Sequence, residues 1–339
     1  MKALRNYLIA SLFFVGFLFF YVPVRYHISY PRDIGPQFDE HVRQTYINAL
    51  DQKQPDILLL GDSMLAPAVD ETVLQNQLGH KTMLVSLPGT ASTIWYLMIK
   101  NNIVLAEHKP KYLAIFFRDS MMTVPGYRVS GRYFEQIDEF ATPDDTLLIQ
   151  RAYINQMTPL DKLMERYVPL YGSRWTIRRS IDYYMRHGLG KALLHCDAGC
   201  TDKAMEAVFA ADNLDVTFLS DAIAASDDYI YTNGRLDFHQ QVGQSFLPEI
   251  VRLCRENKIQ LVLVRMPIRR FEKPGTEPKG LAAYIKVLAN YSNENGVPFF
   301  DLDKKELSGE YFSDDVHLNK QGEAIFTQWL TEALRPVVK

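Results

Sequence analysis

Cysteine is scarce in this sequence, with three residues in 339, and that scarcity excludes a fold stapled by a disulfide framework. Two of the three stand close together in His195-Cys196-Asp197-Ala198-Gly199-Cys200. No second cysteine or histidine pair has zinc-like spacing, so a metal site that includes His195 is disfavoured, and a small disulfide-closed loop in an oxidising compartment is the expectation. Cys254 lies on the apolar face of a helical pattern and reads as a core residue. Net charge is scarce as well, since 37 basic residues against 40 acidic ones leave only -3. So balanced a chain has no electrostatic footprint for a polyanion, and nucleic acid is not an expected partner. Repeats and low-complexity tracts are also absent, and 47% apolar residues suit a globular α/β body with a sizeable core.

What the sequence does contain, near its start, is an uncharged stretch of 18 residues from Tyr7 to Val24, close to the minimum for crossing a hydrocarbon core of about 30 Å. Lys2 and Arg5 precede it and Arg25 and Arg32 follow, so the charge bias toward a cytoplasmic N-terminus is weak. No Ala-x-Ala cleavage pattern follows the stretch, which favours an uncleaved signal anchor over a removed signal peptide. A buried helix of a soluble protein is the plain alternative, but a helix apolar on all sides needs lipid or a very large core. Residues 1–24 are therefore expected to be a cytoplasmic tip and single membrane span, with the remainder periplasmic or extracellular.

Residues 25–54, with Tyr30-Pro31-Arg32, Gly35-Pro36 and a short helical pattern at 38–52, read as a spacer. Four continuous apolar runs follow at 56–60, 82–87, 111–117 and 260–266, each short enough for a strand buried on both faces, and a fifth spans 297–301. Helical patterns fill 68–79, 92–107, 240–257, 280–293 and 320–335. Strands alternating with helices predict a parallel sheet with helices on both faces. The segment from about 120 to 240 breaks that rhythm, with helical patterns at 144–166 and 174–195. It is expected to be a mainly helical insertion, a cap or partner-binding subdomain within a catalytic domain of 55–339.

The chemistry-bearing residues fall at the ends of these runs. Gly61-Asp62-Ser63 follows the first, at a strand-to-helix junction where functional groups of open α/β sheets gather. Gly89 follows the second, in Leu87-Pro88-Gly89-Thr90, where a backbone N–H can approach a developing oxyanion. Near the C-terminus stands Asp314-Asp315-Val316-His317. A serine hydroxyl is a weak nucleophile that needs a histidine to take its proton, and the histidine needs a third group to fix its tautomer. An Asp three residues before a His can fold back onto Nδ1–H and leave Nε2 free for Ser63. The plain alternatives are a helix-capping serine, a turn glycine and a surface histidine.

In these motifs the chain resembles the GDSL/SGNH hydrolase superfamily. Its serine block matches Gly61-Asp62-Ser63, its glycine block Gly89 and its final block Asp314-x-x-His317, over roughly residues 55–125 and 255–335. The resemblance implies a three-layer, flavodoxin-like α/β fold, with Ser63 as nucleophile, His317 as general base and Asp314 as orienting acid. It also implies that the amides of Ser63 and Gly89 form part of an oxyanion hole and that no cofactor or metal is needed. One block departs from the pattern: the superfamily's Gly-x-Asn-Asp is replaced by Phe117-Arg118-Asp119-Ser120. Arg118 stands nearest the missing Asn, where its guanidinium can replace that oxyanion donor, anchor an anion, or simply pair with Asp119.

Tethering and a large insertion further resemble, in architecture alone, the bacterial proteins that modify surface polymers, such as alginate-type O-acetyltransferases and the D-alanyl transfer protein of the teichoic acid pathway. That resemblance implies an esterase or O-acyltransferase with an acyl donor, a carbohydrate or polymer acceptor and a membrane-bound acyltransferase as partner. The alternative from another class is an inactive module that binds polysaccharide or docks such an acyltransferase.

Overall fold

The structure, a computed structural model, describes residues 2–36, 43–130, 133–208, 237–269 and 277–339. The chain divides into two compact units. One comprises Met1–Gln37, Val129–Glu135 and Pro143–Ala210, and the other Phe38–Arg128, Gln136–Thr142 and Ala211–Lys339. The start of the expected helix at 38–52 and the last part of the expected insertion, residues 209–236, lie outside the described residues.

In the second unit, five strands among the described residues form one sheet: β1 (Ile57–Gly61), β2 (Thr82–Ser86), β3 (Tyr112–Phe117), β4 (Gln260–Arg265) and β5 (Phe299–Asp301). Their order is β2-β1-β3-β4-β5 and every pairing is parallel, the flavodoxin-like arrangement of doubly wound sheets. A parallel sheet is covered on both faces, so its strands are continuously apolar rather than alternating. Leu58, Leu59, Leu60, Leu113, Ile115 and Phe116 are all fully buried, each contributing about 1.5–3 kcal/mol by leaving water.

Alternate side chains go to opposite faces. Ile57, Leu59, Ala114, Phe116, Val262 and Val264 share one core cluster with Leu74 of helix Glu71–Leu78 and with Phe326, Leu330 and Leu334 of helix Lys320–Leu334. Helix Leu247–Glu256 packs against β4 and against helix Ser92–Met98, while helix Lys279–Glu294 packs beside β5. The α/β reading of the sequence holds.

Two expected helices of this unit are corrected. The pattern at 92–107 gives an α-helix only over Ser92–Met98, which then widens into a π-helical turn at Ile99–Ile103. The pattern at 240–257 is two helices, Phe238–Val242 and Leu247–Glu256. Gly243 stands at the break, and Pro248, in the first turn of the second helix, fits where an N–H has no helical partner anyway.

In the first unit, helix Lys2–Tyr26 contains the candidate span Leu4–Tyr26, whose most apolar 18 residues have a mean hydropathy of 2.2. At 1.5 Å per residue its 25 residues extend about 37 Å, so it is long and apolar enough to cross a membrane. The expected helix at 144–166 is corrected to short helical turns over 146–156 followed by a new helix, Pro159–Tyr167. The cause is a capping box. Asp161 N–H donates to Thr158 Oγ1 at 3.2 Å and Thr158 N–H donates to Asp161 Oδ2 at 3.1 Å, with Pro159 opening the helix. Helix Arg174–Leu194 ends at His195 in the left-handed region, and Cys196 and Cys200 are joined in a disulfide with Cα atoms 5.5 Å apart. Cys254 is buried in the second unit, where burial pushes its thiol up to about 12.

Candidate active site

The strand order places the carboxyl ends of β2, β1 and β3 side by side, and each carries one residue singled out in the sequence. Ser63 follows β1 in a tight turn. Asp62 folds its carboxylate back to accept the N–H of Met64 at 3.0 Å, an Asx turn that shapes the backbone around Ser63. The Asp62 carbonyl accepts from Ser86 Oγ at 2.7 Å, and the Gly61 carbonyl accepts from Leu87 N–H at 2.9 Å, tying this turn to the end of β2. Gly61 is tightly enclosed: a Cβ would lie 3.1 Å from Phe116 Cβ and 3.2 Å from Leu65 Cβ, so those side chains would have to give way by a few tenths of an ångström.

The partner loop lies about 250 residues further along the chain. An antiparallel bridge between Phe312 and Leu318 closes it, and Ser313 N–H donates to the His317 carbonyl at 2.8 Å. Within the loop, Asp314 Oδ1 accepts the N–H groups of Val316 and His317 at 2.9 and 2.8 Å, while Oδ2 accepts from His317 Nδ1 at 2.7 Å. Burial would raise the Asp314 pKa, but these hydrogen bonds and the adjoining His317 outweigh it and hold the carboxyl below the usual range. Ionised, it can only accept, so Nδ1 carries the proton and Nε2 presents its lone pair. Ser63 Oγ lies 2.9 Å from that Nε2. The structure thus brings Ser63, His317 and Asp314 into one continuous relay.

Gly89 follows β2 with φ +76, a left-handed conformation that suits glycine. Its loop is fixed by Thr90 Oγ1, which donates to the Leu87 carbonyl at 2.6 Å and accepts from Trp95 Nε1 at 3.0 Å. Arg118 follows β3, and its Nη1 donates to Asp119 Oδ2 at 2.8 Å. Its Nε is buried and has no hydrogen-bond partner among the described residues. Burial weakens the charge, but Asp119, Tyr127 and Asp62 more than offset it and keep the guanidinium protonated.

No family model matches the sequence, and no curated protein matches it. Solved structures are similar to it. A proposed acylhydrolase of Bacteroides fragilis aligns at 12% identity over 86% of this chain and 97% of its own, with a TM-score of 0.41. A GDSL-like lipase of Bacteroides thetaiotaomicron aligns at 12% identity over 87% of this chain and 96% of its own, with a TM-score of 0.39. An active-site mutant of a family two carbohydrate esterase from Clostridium thermocellum aligns at 9% identity over 83% and 63%, with a TM-score of 0.37.

Other residues around the site carried less signal in the sequence. Asp62 is only 6% exposed, and burial raises its carboxyl despite the nearby Arg118, His317 and Arg128. Its place in Gly-Asp-Ser was legible, but its burial was not. Arg265, at the end of β4, is fully buried and paired with Glu277, with Asp301 at 3.4 Å and with Asp303 at 3.0 Å. Asp303 also accepts the N–H of Ile268 at 3.3 Å, and the adjoining Arg269 N–H donates to the Asp315 carbonyl at 3.1 Å. This buried ionic cluster therefore anchors the backbone that grips the Asp314–His317 loop. A lone arginine ending an apolar run was the signal for it.

Proposed function

We propose that the protein is a serine acyl-ester enzyme of the SGNH/GDSL type, an esterase or O-acyltransferase anchored in the membrane by its N-terminal helix. The observation that carries this reading is the Ser63–His317–Asp314 relay, with heavy-atom separations of 2.9 and 2.7 Å. Both lie within the reach a nucleophile and its base require.

Ser63 Oγ attacks the ester carbonyl carbon while its proton passes to His317 Nε2, and Asp314 stabilises the imidazolium that results. The carbonyl oxygen becomes an oxyanion facing the backbone N–H groups of Ser63 and Gly89, with the guanidinium of Arg118 at the neighbouring strand end as a third donor. The bond to the leaving alcohol then breaks, the alcohol takes the proton from Nε2, and the acyl group stays on Ser63. In the second half a water or carbohydrate hydroxyl gives its proton to Nε2 and attacks the acyl carbon; the bond from that carbon to Ser63 Oγ then breaks, and Oγ takes the proton back from Nε2. No cofactor enters this scheme. Tethering supports a cell-surface polysaccharide or related polymer as acceptor, a periplasmic or extracellular catalytic body and a membrane-bound acyltransferase as acyl supplier.

The test uses the full chain in nanodiscs with an activated acetyl ester, with and without a polysaccharide acceptor. Ser63→Ala and His317→Ala are each expected to lower turnover by on the order of 10^6, and acceptor-dependent acetylation separates transferase from esterase. Equal rates for all three proteins would overturn the enzyme reading in favour of a binding module.

A further inference from the structure

Helix Pro159–Tyr167 is folded with its polarity inverted. Its charged Glu165 is buried at 5% exposure, while Leu160, Leu163 and Tyr167 are 67%, 54% and 52% exposed. These three recur at i, i+3 and i+7, which puts them on one face. The inward side is polar because Glu165 pairs with Arg174 and with Arg32, the latter at 3.6 Å.

The chain leaving the N-terminal helix is bonded to the end of this helix and to the turn that follows it. Arg32 N–H donates to the Arg166 carbonyl at 3.0 Å, and Arg32 Nη1 donates to the Gly172 carbonyl at 2.9 Å. Tyr30 Oη donates to the Pro169 carbonyl at 3.2 Å and shares a hydrogen bond with Ser173 Oγ at 2.8 Å. The short helical turn Pro169–Gly172 packs directly against helix Lys2–Tyr26. Only Val168 separates that turn from Tyr167, and nine helical residues span about 14 Å. The apolar face therefore lies within about 14 Å of the turn that packs on helix Lys2–Tyr26.

We propose that Leu160, Leu163 and Tyr167 dip into the headgroup–acyl boundary of the bilayer, making helix Pro159–Tyr167 a second, interfacial membrane contact. The inference rests on the reading of Lys2–Tyr26 as a membrane span, against which the turn that follows this helix packs. An interfacial helix buries its apolar side about 5–10 Å into that boundary and keeps basic residues at the phosphates. Arg166, exposed and 5.7 Å from the Tyr167 ring centroid, is placed for such a contact.

The test reconstitutes the full chain in vesicles of phosphatidylcholine and phosphatidylglycerol, with an environment-sensitive fluorophore on Leu163→Cys, on Leu160→Cys as a second position, and on Phe13→Cys within the span. Labelled wild-type protein corrects for Cys254. At 163 and 160 the label is expected to shift to the blue and lose most of its emission to lipids carrying a shallow quencher, whereas at 13 it answers to a deep quencher. Quenching at 13 without quenching at 163 and 160 overturns the interfacial contact and leaves the span standing. Absence of quenching at 13 overturns the span and the contact together. A blue shift at 163 that ignores both quenchers and grows with protein concentration assigns the face to a second copy of the chain and likewise overturns the proposal.

Discussion

At the scale of single residues, the geometry of the site concentrates its questions on two charged groups beside Ser63. Arg118 holds an ion pair with Asp119 and keeps Nε–H free of any partner among the described residues. If it serves the oxyanion, Arg118→Ala lowers kcat by about 10^2–10^3 with a small change in KM, and Arg118→Lys recovers only part. Asp119→Ala, which removes only the ion pair, should then leave kcat close to wild type, and a matching loss in both variants would reduce Arg118 to a strand-end ion pair. Asp62 and Asp314 pull in opposite directions with pH. The Asp314 carboxyl is depressed, so its contribution to stability is complete above the ordinary unfolded value of about 3.9 and is lost as pH falls through the lower folded value. The Asp62 carboxyl is raised by burial, so its favourable contribution exists below that unfolded value and is lost as pH rises through the folded one. Asp62→Asn keeps an Oδ1 acceptor for Met64 N–H. Thermal unfolding is therefore expected to show a higher Tm for this variant at neutral pH and no gain at acid pH, and an equal loss at both would contradict the assignment.

At the scale of elements, the strands were legible because a five- or six-residue run of Ile, Leu, Val and Phe has no other comfortable place than the middle of a parallel sheet. The helices flanking β5 and closing the chain were legible from the same periodicity. The breaks were less so. Apolar spacing runs straight through Gly243 and through Thr158, yet a glycine before Leu247-Pro248 and a Thr-Pro-Leu-Asp capping box each stop one helix and start another. Local cap chemistry overrode the 3.6-residue pattern there. The relay partners Asp314 and His317 were readable in their spacing, but what holds their loop was not. Asn319 shows this: Oδ1 accepts the N–H groups of Gln321 and Gly322, each at 3.0 Å, while Nδ2 donates to the Glu310 carbonyl at 2.6 Å. It caps the last helix and closes the loop that carries His317 at once. Asn319→Ala is expected to lower stability by about 1–2 kcal/mol in denaturant titrations and to lower kcat through a displaced imidazole. Asn319→Asp, which keeps the cap, restores most of the stability. A variant with full stability loss and unchanged kcat would separate the cap from the site.

At the scale of the whole molecule, one chain carries an apolar helix fit to cross a membrane and an α/β body with a serine relay at the carboxyl edge of its sheet. A tether would restrict an enzyme to substrates within reach of the bilayer, and that is the physical support for proposing a surface polymer as acceptor. The central claim is that Ser63 becomes acylated. Intact-mass and peptide mass spectrometry of the full chain after a brief exposure to an activated ester tests it most directly. A single acyl adduct on Ser63 is expected, formed far more slowly in His317→Ala and absent in Ser63→Ala. An adduct forming at the wild-type rate in Ser63→Ala, or none on Ser63 in the wild-type protein, would contradict it.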